Sequence, residues 1–297
     1  MVRNILASIS VLTFAVAPLV AQNGMEKVEI TATKLAPGVA VLFGAGGNIG
    51  VSYGEDGTVL VDDQFAPLTA KIQKAVADLG ATPVKYLINT HWHGDHSGGN
   101  ENFGNAGALI MAHDNVRVRM ASEQKRGDRV TPASPKAALP VVTYDGGLKL
   151  HLNGEEVRAI HVDPSHTDGD TIIYWTKSNV IHMGDTYFNQ VTFPFVDLVS
   201  GGDVMGVVKA ADIALALAND DTKIIPGHGP VATKADLQAY RNMVSEIISR
   251  VGTAMGKGNG LEAIKAMKLT AGYTTKSDGF ISGDAFVETV YKSLGGK

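Results

Sequence analysis

The feature that most constrains the fold of this sequence is an apolar run that stops abruptly in a cluster of histidines. Residues 84–90, VKYLINT, have the length and the β-branched, apolar character of a buried strand. They lead directly into residues 91–96, HWHGDH, which hold three histidines and an aspartate within six positions. Packing alone seldom crowds imidazoles in this way. We therefore expect a strand that delivers polar side chains to one functional point.

The spacing inside this cluster divides it into two pairs. Side chains alternate along an extended chain, so His91 and His93 lie on the same side. Gly94 frees the backbone to turn, and Asp95 and His96 then approach from another direction. One metal ion can take the first pair and a second ion the next pair. Since a zinc site needs three or four ligands, further ligands must come from elsewhere in the chain.

Three later positions offer such ligands, and each lies where a strand pattern stops. His166 lies in DPSHTDGD, a loop flanked by proline and glycine. Asp185 follows a strand and a glycine in HMGDTYF. His228 lies between two glycines in PGHG, where a side chain can point out of a tight turn. We expect these side chains to meet the histidine cluster.

Strand and helix patterns alternate along the chain, with hairpins among the strands. The strands occur in two blocks, which predicts an α/β (α+β) fold of two mixed β-sheets packed face to face and covered by helices. No long linker divides residues 22–297, so we expect one domain with a helical tail over 256–297. The strand patterns cover 27–65 in four segments, 84–90, 108–113, a hairpin at 148–162, two strands at 171–185, and 222–230. The helix patterns cover 67–80, 114–125, 203–219, 233–255, 260–268 and 284–294, and a polar loop covers 126–140.

The beginning of the chain has the pattern of an export signal. Arg3 precedes an apolar run, and Ala21 is a small residue suited to a cleavage site. We therefore expect residues 1–21 to be removed, leaving a periplasmic or secreted chain without a membrane span. The sequence has no cysteine, which excludes disulfides, thiolate zinc sites and cysteine nucleophiles. A net charge of −4 provides no broad basic surface for nucleic acid, so we expect a small-molecule substrate.

The ordered set of motifs resembles the metallo-β-lactamase superfamily. The resemblance rests on the H-x-H-x-D-H run, a distant loop histidine, an aspartate after a strand, and a G-H-G turn, in that order. It covers roughly residues 28–255, nearly all of the expected mature chain. It implies a four-layer αββα sandwich with two zinc ions bound at the edge of the two sheets.

The resemblance also implies a role for each motif residue. One metal ion would be bound by three histidines, His91, His93 and His166. The second ion would be bound by an aspartate and two histidines, Asp95, His96 and His228. Asp185 would bridge both ions, as in the branches that resemble glyoxalase II and the lactonases. Asp62 in VLVDDQF would orient a ligand histidine, in preference to Asp63.

A centre of this kind implies hydrolysis. Zinc lowers the pKa of bound water to about 7, so two ions could hold a bridging hydroxide that attacks a small carbonyl substrate. An ester, a lactone, a thioester or a β-lactam-like amide would fit this chemistry. Asp95 or a water molecule would protonate the leaving group. The residues expected to contact the substrate are Tyr187, Phe188 and Phe195.

The sequence does not select one substrate among these. One lactamase branch has a cysteine at the position of Asp185 and a lysine at the position of Phe188. Tyr187 lies one residue short of the tyrosine offset of the lactonases. The sequence is therefore compatible with three functions: weak β-lactamase activity, lactonase activity, or a non-catalytic periplasmic role in a redox or relay pathway. A nuclease is disfavoured, because this acidic chain lacks the basic surface that nucleic acid requires.

Two other segments allow both a functional and a purely structural interpretation, and the remaining histidines are interpreted as structural. Residues 44–50, GAGGNIG, predict either a hairpin over the metal site or a plain turn. Lys125, Arg126 and Arg129 form either a solvated loop or a contact for an anionic substrate. The remaining histidines are expected to be packed or surface residues, namely His113, His151, His161 and His182.

Overall fold

Two large β-sheets form the framework of the computed structural model, which describes residues 24–273 and 279–296. The seven-stranded sheet contains, in spatial order, β1 (Thr31–Ala36), β2 (Val39–Phe43), β3 (Ile49–Gly54), β4 (Gly57–Val61), β5 (Val84–Ile88), β6 (Leu109–His113) and β9 (Val142–Tyr144). Its strands are antiparallel from β1 to β4 and parallel from β4 to β9.

The second sheet has five strands and is antiparallel except for its last pair. Its spatial order is β10 (Gly147–Leu152), β11 (Glu155–His161), β12 (Thr171–Trp175), β13 (Val180–His182) and β14 (Lys223–Ile225). Asn153 and Gly154 both have positive φ between β10 and β11, which is the hairpin that Asn-Gly predicts. A small separate hairpin joins β7 (Gln124–Arg126) to β8 (Arg129–Thr131), where the sequence predicts the end of a helix and the start of a loop.

The helices lie where the apolar periodicity predicts them, with two differences. The helix predicted over 114–125 ends at Met120, because the chain then turns back into β7. Two short helices, one at the end of the histidine cluster and one directly after it, were not predicted. The helices are α1 (Thr69–Asp78), α2 (Gly94–Ser97), α3 (Asn100–Asn105), α4 (Asp114–Met120), α5 (Val204–Leu217), α6 (Lys234–Gly256), α7 (Leu261–Ala266) and α8 (Gly283–Ser293).

Three apolar clusters divide the molecule into four layers. Val59 and Val61 of β4 face the cluster between the two sheets, while Leu60 faces the cluster beneath α1. In β12, Ile173 faces the cluster between the sheets and Ile172 faces the cluster beneath α5, α6 and α8. The central strands are apolar at successive positions because both of their faces are buried. The predicted αββα sandwich is confirmed.

The strand ends place the polar motifs at one edge of the sandwich. Asp62 follows β4 and His91 follows β5, and these two strands run parallel. Asp185 follows β13 and His228 follows β14, which are also parallel neighbours. The carboxyl ends of parallel neighbours meet at the same edge of a sheet. Side chains far apart in sequence are therefore delivered to one place.

The C-terminal tail packs on the helical layer of the second sheet. Phe286, Val287 and Val290 of α8 are buried in the cluster that also contains α5 and α6. The predicted signal at 1–21 lies outside the described residues. Among residues 24–273 and 279–296, no helix combines the length and the apolar character needed to cross a membrane.

The tail should contribute to the stability of the whole fold. Phe286→Ala removes a fully buried ring, and we expect it to lower the free energy of unfolding by about 3–5 kcal/mol. Met267→Ala is the control, because it truncates an apolar side chain that lies exposed in the same tail. Denaturant unfolding measures both variants. Equal stability of the two would contradict a tail packed into the common core.

Candidate metal centre

Seven polar side chains meet at the sheet edge within reach of one another. They form three overlapping groups whose ligand atoms lie within 4.8 Å: His91 with His93 and His166, His91 with His96 and Asp185, and Asp95 with His96 and His228. The structure thus brings together all of the side chains that the sequence predicts as metal ligands. They arrive from four separate segments of the chain, namely residues 91–96 and the segments around His166, Asp185 and His228.

His91 is fully buried, and the residue before it determines which of its nitrogens is free. Its Nδ1 lies 3.0 Å from Oγ1 of Thr90, whose hydroxyl donates to Oδ2 of Asp62 at 2.8 Å. Because that hydroxyl proton is already used, Nδ1 of His91 carries a proton and donates to Thr90. The lone pair therefore lies on Nε2, which is buried and lacks a hydrogen-bond partner in the described part of the chain.

The other two histidines of this group have their outer nitrogens held in the same way. His93 Nε2 donates to Oδ2 of Asp197 at 3.0 Å, and His166 Nδ1 donates to the carbonyl oxygen of Phe195 at 2.7 Å. The inner nitrogens, Nδ1 of His93 and Nε2 of His166, face each other at 2.9 Å. Two lone pairs at this distance repel unless a proton or a cation lies between them.

The second half of the site combines histidines with carboxylates. His96 Nδ1 donates to Oδ2 of Asp62 at 2.7 Å, so its Nε2 faces the site. That Nε2 lies 3.0 Å from Oδ1 of Asp185 and 3.4 Å from Nε2 of His228. Nε2 of His228 in turn lies 3.3 Å from Oδ2 of Asp95. One orienting carboxylate, Asp62, thus supports the rings of both halves.

Burial and charge divide the histidines into neutral and charged groups. Burial lowers the pKa of His91 well below its usual value, and it lowers the pKa of His166 to about 4. Burial also disfavours the charged forms of His96 and His228, but the neighbouring carboxylates outweigh it. Asp185 foremost raises the pKa of His96 well above its usual value and that of His228 to about 9.

The two site carboxylates are anionic at neutral pH. Burial alone would raise their pKa values, but the charge of His96 outweighs it. The pKa of Asp95 falls to about 2, and that of Asp185 falls well below its usual value. Oδ1 of Asp185 is buried 3.0 Å from Nε2 of His96 and 3.4 Å from Nε2 of His228, so these two rings balance its charge in the metal-free chain. A metal ion at this place would take over that role from the two protons.

These donors fit divalent metal ions. Neutral imidazole nitrogens and carboxylate oxygens are the ligands that zinc takes when no thiolate is available. Nε2 of His91 is a buried acceptor that nothing else in the described chain satisfies, and Nδ1 of His93 and Nε2 of His166 face each other at 2.9 Å. Outer-shell acceptors that fix each imidazole are typical of metal sites in proteins.

The glycine-rich segment at 44–50 forms one wall of the site. Its Gly47 N–H donates to the carbonyl of Asp95 at 3.0 Å, and Asn48 N–H donates to the carbonyl of Gly227 at 2.7 Å. A Cβ on Gly47 would lie 2.0 Å from Cε1 of His96. Glycine is needed here because the backbone packs against the ring of a predicted ligand.

A cleft of about 460 Å³ opens over the site, and Phe195 lines it as predicted. Tyr187 and Phe188 do not line it, and the expectation that they contact substrate needs correction. Tyr187 is buried in the helical layer, with its ring 4.7 Å from that of Tyr240. Phe188 is buried and stacks on His228 at 5.5 Å, so it supports a predicted ligand. Trp92 lines the cleft and also packs against the small apolar cluster around Val116 and Met120.

The sequence did not reveal two polar residues that hold the site. Thr90 and Asp197 fix the rings of His91 and His93, yet neither belongs to a spaced motif. The remaining histidines behave as packed or surface residues. His113 and His161 stack at 3.7 Å, His182 Nε2 donates to the carbonyl of Asn48, and His151 is exposed.

Asp62 should be needed for metal affinity rather than for folding alone. Asp62→Asn replaces the acceptor of His96 Nδ1–H with an amide, and we expect zinc affinity to fall about 10–100-fold. Asp63→Asn is a matched control, since Asp63 is equally buried but accepts from Gly99 N–H. Burial raises the pKa of Asp63 well above its usual value, so the amide is a close mimic. Competition against a chromophoric chelator measures both, and equal losses would contradict the role of Asp62.

Metal binding should release protons. Below about pH 9 the metal-free chain holds His228 in its charged form, and a ligand imidazole must be neutral. We expect zinc to displace about one or two protons per chain at pH 7 and to bind more tightly as the pH rises towards 9. Calorimetric titrations in two buffers of different ionisation enthalpy count these protons. Heats that do not depend on the buffer would contradict the charged state of His228.

Comparison with known proteins supports the resemblance found in the sequence. The chain is 27% identical over 178 residues to the 2,4-dinitroanisole O-demethylase subunit alpha of Nocardioides sp., covering 59% of this chain and 50% of that protein. It is 26% identical over 179 residues to hydroxyacylglutathione hydrolase of Polaromonas sp., covering 59% of this chain and 58% of that protein. The chain thus spans about half the length of these curated relatives.

Solved structures show the same fold at low sequence identity. An inverting sec-alkylsulfatase from Pseudomonas sp. superposes with a TM-score of 0.69 at 18% identity, over 90% of this chain and 50% of that chain. A metallo-beta-lactamase from Pontibacter korlensis superposes with a TM-score of 0.61 at 17% identity, over 73% of this chain and 99% of that chain. The sequence model of the metallo-beta-lactamase superfamily matches residues 43–228, more than half of the chain. The chain therefore belongs to the metallo-beta-lactamase superfamily.

Proposed function

We propose that the protein is a metal-dependent hydrolase that binds two zinc ions and cleaves a small carbonyl substrate. The observation that carries this proposal is the buried Nε2 of His91, an acceptor that nothing in the described chain satisfies. It lies among four other imidazoles and two carboxylates whose ligand atoms are within reach of one another. Metal ions would bind these nitrogen and oxygen atoms together.

The proposed ligands form two sets around one carboxylate. His91, His93 and His166 would hold one ion, and Asp95, His96 and His228 the other. Asp185 lies between the sets, with Oδ1 3.0 Å from Nε2 of His96 and Oδ2 3.6 Å from Nε2 of His166. Because one oxygen faces each set, the geometry favours a bridging role for Asp185.

Two bound zinc ions would supply a hydroxide nucleophile at neutral pH and polarise the bond to be cleaved. The chain's own residues position this chemistry. Asp95 is anionic, so it can accept a proton from the nucleophile and pass it to the leaving group. Phe195 lines the cleft beside the site and keeps that wall apolar.

The substrate class is a separate part of the proposal. The similar proteins include a hydroxyacylglutathione hydrolase, an O-demethylase subunit, a sulfatase and a lactamase, so the family acts on several substrates. We propose an ester, lactone, thioester or β-lactam-like amide, since each presents a carbonyl to a hydroxide. One lactamase branch has a lysine at the position of Phe188, which is buried and uncharged here. This difference favours an ester, lactone or thioester over a β-lactam-like amide.

We also propose export to the periplasm or beyond, because residues 1–21 have the pattern of an export signal.

Metal content and hydrolysis test the proposal together. Purified protein should hold about two zinc ions per chain by elemental analysis. On a panel of chromogenic esters, lactones, thioesters and a cephalosporin, His93→Ala should lower hydrolysis to the level of chelator-treated protein. His151→Ala makes the same chemical change at an exposed histidine and should keep full activity.

Two results would overturn the proposal. One is full activity in His93→Ala, since Nδ1 of His93 faces the centre of the first set. The other is the absence of hydrolysis across the whole panel by protein that holds both zinc ions. A chain with zinc bound and no activity would support the non-catalytic alternative instead.

A further inference from the structure

The β7–β8 hairpin forms one wall of the cleft, although it belongs to neither large sheet. It follows α4, and Gln124 anchors its base by donating to the carbonyl of Arg119 at 3.1 Å. Its residues Lys125, Arg126 and Arg129 line the cleft together with the predicted ligands His93 and Asp95. A positively charged arm therefore stands beside the proposed reaction centre.

The tip of this hairpin places two like charges together. Arg126 and Arg129 are cross-strand partners, so their side chains leave the same face of the ribbon. Like charges directly opposite one another destabilise an antiparallel pair. An isolated two-stranded ribbon is only marginally stable in water. An anion bound between the two guanidinium groups would offset this repulsion.

The other cations of this wall are already neutralised. Arg119 makes a two-point ion pair with Asp168, at 2.6 and 2.7 Å. Lys125 lies 3.2 Å from a carboxylate oxygen of Glu123. Arg129, by contrast, has no carboxylate within 4.0 Å in the part of the chain that the structure describes. Positive charge is therefore left over at the hairpin tip.

Arg126 is held in place and is only partly neutralised. Its guanidinium lies over the ring of Phe195, 5.2 Å from the ring centroid, and it remains 45% exposed. Its Nη1 lies 3.7 Å from Oδ2 of Asp197, which is close enough for an ion pair but beyond hydrogen-bond distance. That carboxylate already accepts from His93 and Ser200. The fork of Arg126 is thus oriented by stacking and keeps its donors for another group.

Apolar side chains face the same space. Phe280 from the tail is 62% exposed and lies 6.1 Å from the ring of Phe195, and Val199 is 63% exposed beside them. All three line the cleft. Large apolar side chains left exposed around a cavity usually contact a ligand. The cleft therefore combines an apolar surface, a cationic tip and the metal centre.

We propose that Arg126, assisted by Arg129, binds an anionic group of the substrate and so determines specificity. The substrate is a carbonyl compound that carries a carboxylate or another oxyanion on an apolar body. The apolar body lies against Phe195 and Phe280, and the bond to be cleaved lies at His93 and Asp95. This inference rests on the proposed hydrolase function, and it adds the chemical class of the substrate.

Binding tests the inference without catalysis. Calorimetry on the zinc-loaded protein compares 4-phenylbutyrate with its neutral analogue 4-phenylbutanamide. Arg126→Gln should weaken binding of the carboxylate about tenfold and leave the amide unchanged, because it removes a charge-assisted hydrogen bond. Arg129→Gln should have a smaller effect of the same kind, and Arg126→Lys should retain part of the affinity. Lys149→Gln removes one exposed positive charge outside the cleft and is the matched control.

Kinetics separates a binding role from a structural one. The paired substrates are mono-4-nitrophenyl glutarate, which carries a carboxylate, and 4-nitrophenyl butyrate, which does not. Arg126→Gln should raise KM about tenfold for the first with little change in kcat, and should alter neither constant for the second. A variant that merely damaged the site would lose activity on both esters.

The outcomes test the anion site separately from the proposed hydrolase function. If wild-type protein hydrolyses both esters and Arg126→Gln changes KM and kcat equally for the two, the anion site is wrong and the hydrolase function stands. If neither these esters nor any substrate of the hydrolysis panel is cleaved but carboxylate binding still depends on Arg126, the anion site stands and the hydrolase function is wrong. Equal affinity of all variants for 4-phenylbutyrate would overturn the inference outright.

Discussion

The carboxylate of Asp62 is the contact on which the centre depends. It accepts from the backbone N–H and the hydroxyl of Thr90, at 2.7 and 2.8 Å, and from Nδ1 of His96 at 2.7 Å. The first two bonds join the end of β4 to the end of β5. Through Thr90 the same carboxylate also orients His91. One buried anion thus aligns two strands and one imidazole of each proposed ligand set, which explains why a left-handed φ of 65° is tolerated at Asp62.

The charge distribution of the centre follows from where each ring lies. His91 and His166 are deeply buried and neutral, so their lone pairs are available without loss of a proton. His96 and His228 lie beside Asp95 and Asp185 and are charged until a metal replaces their protons. A cation in the second set would therefore substitute for positive charge that the metal-free fold already accommodates. The carboxylates stabilise the folded chain in both forms, because each always has a positive neighbour.

Local sequence patterns predicted the parts of the site that depend on strand ends. A strand that stops in a polar turn must release its side chains at the sheet edge, and this rule locates His91, Asp185 and His228. The same rule failed for Tyr187 and Phe188, because the short helical turn at Gly184–Thr186 redirects the chain after Asp185 into the core. Proximity in sequence to a predicted ligand therefore did not mean proximity to the cleft.

The sequence by itself determined the layered αββα fold and the identity of the residues gathered at its edge, because apolar alternation and turn residues are local properties. Only the tertiary structure decided which nitrogen of each imidazole faces inwards. That choice depends on acceptors such as Asp197 and the carbonyl of Phe195, which lie far along the chain and have no spacing rule. It likewise decided the role of Arg126. A basic loop residue is unremarkable in sequence, and only its position over Phe195 beside the centre makes it a candidate for recognising an anion.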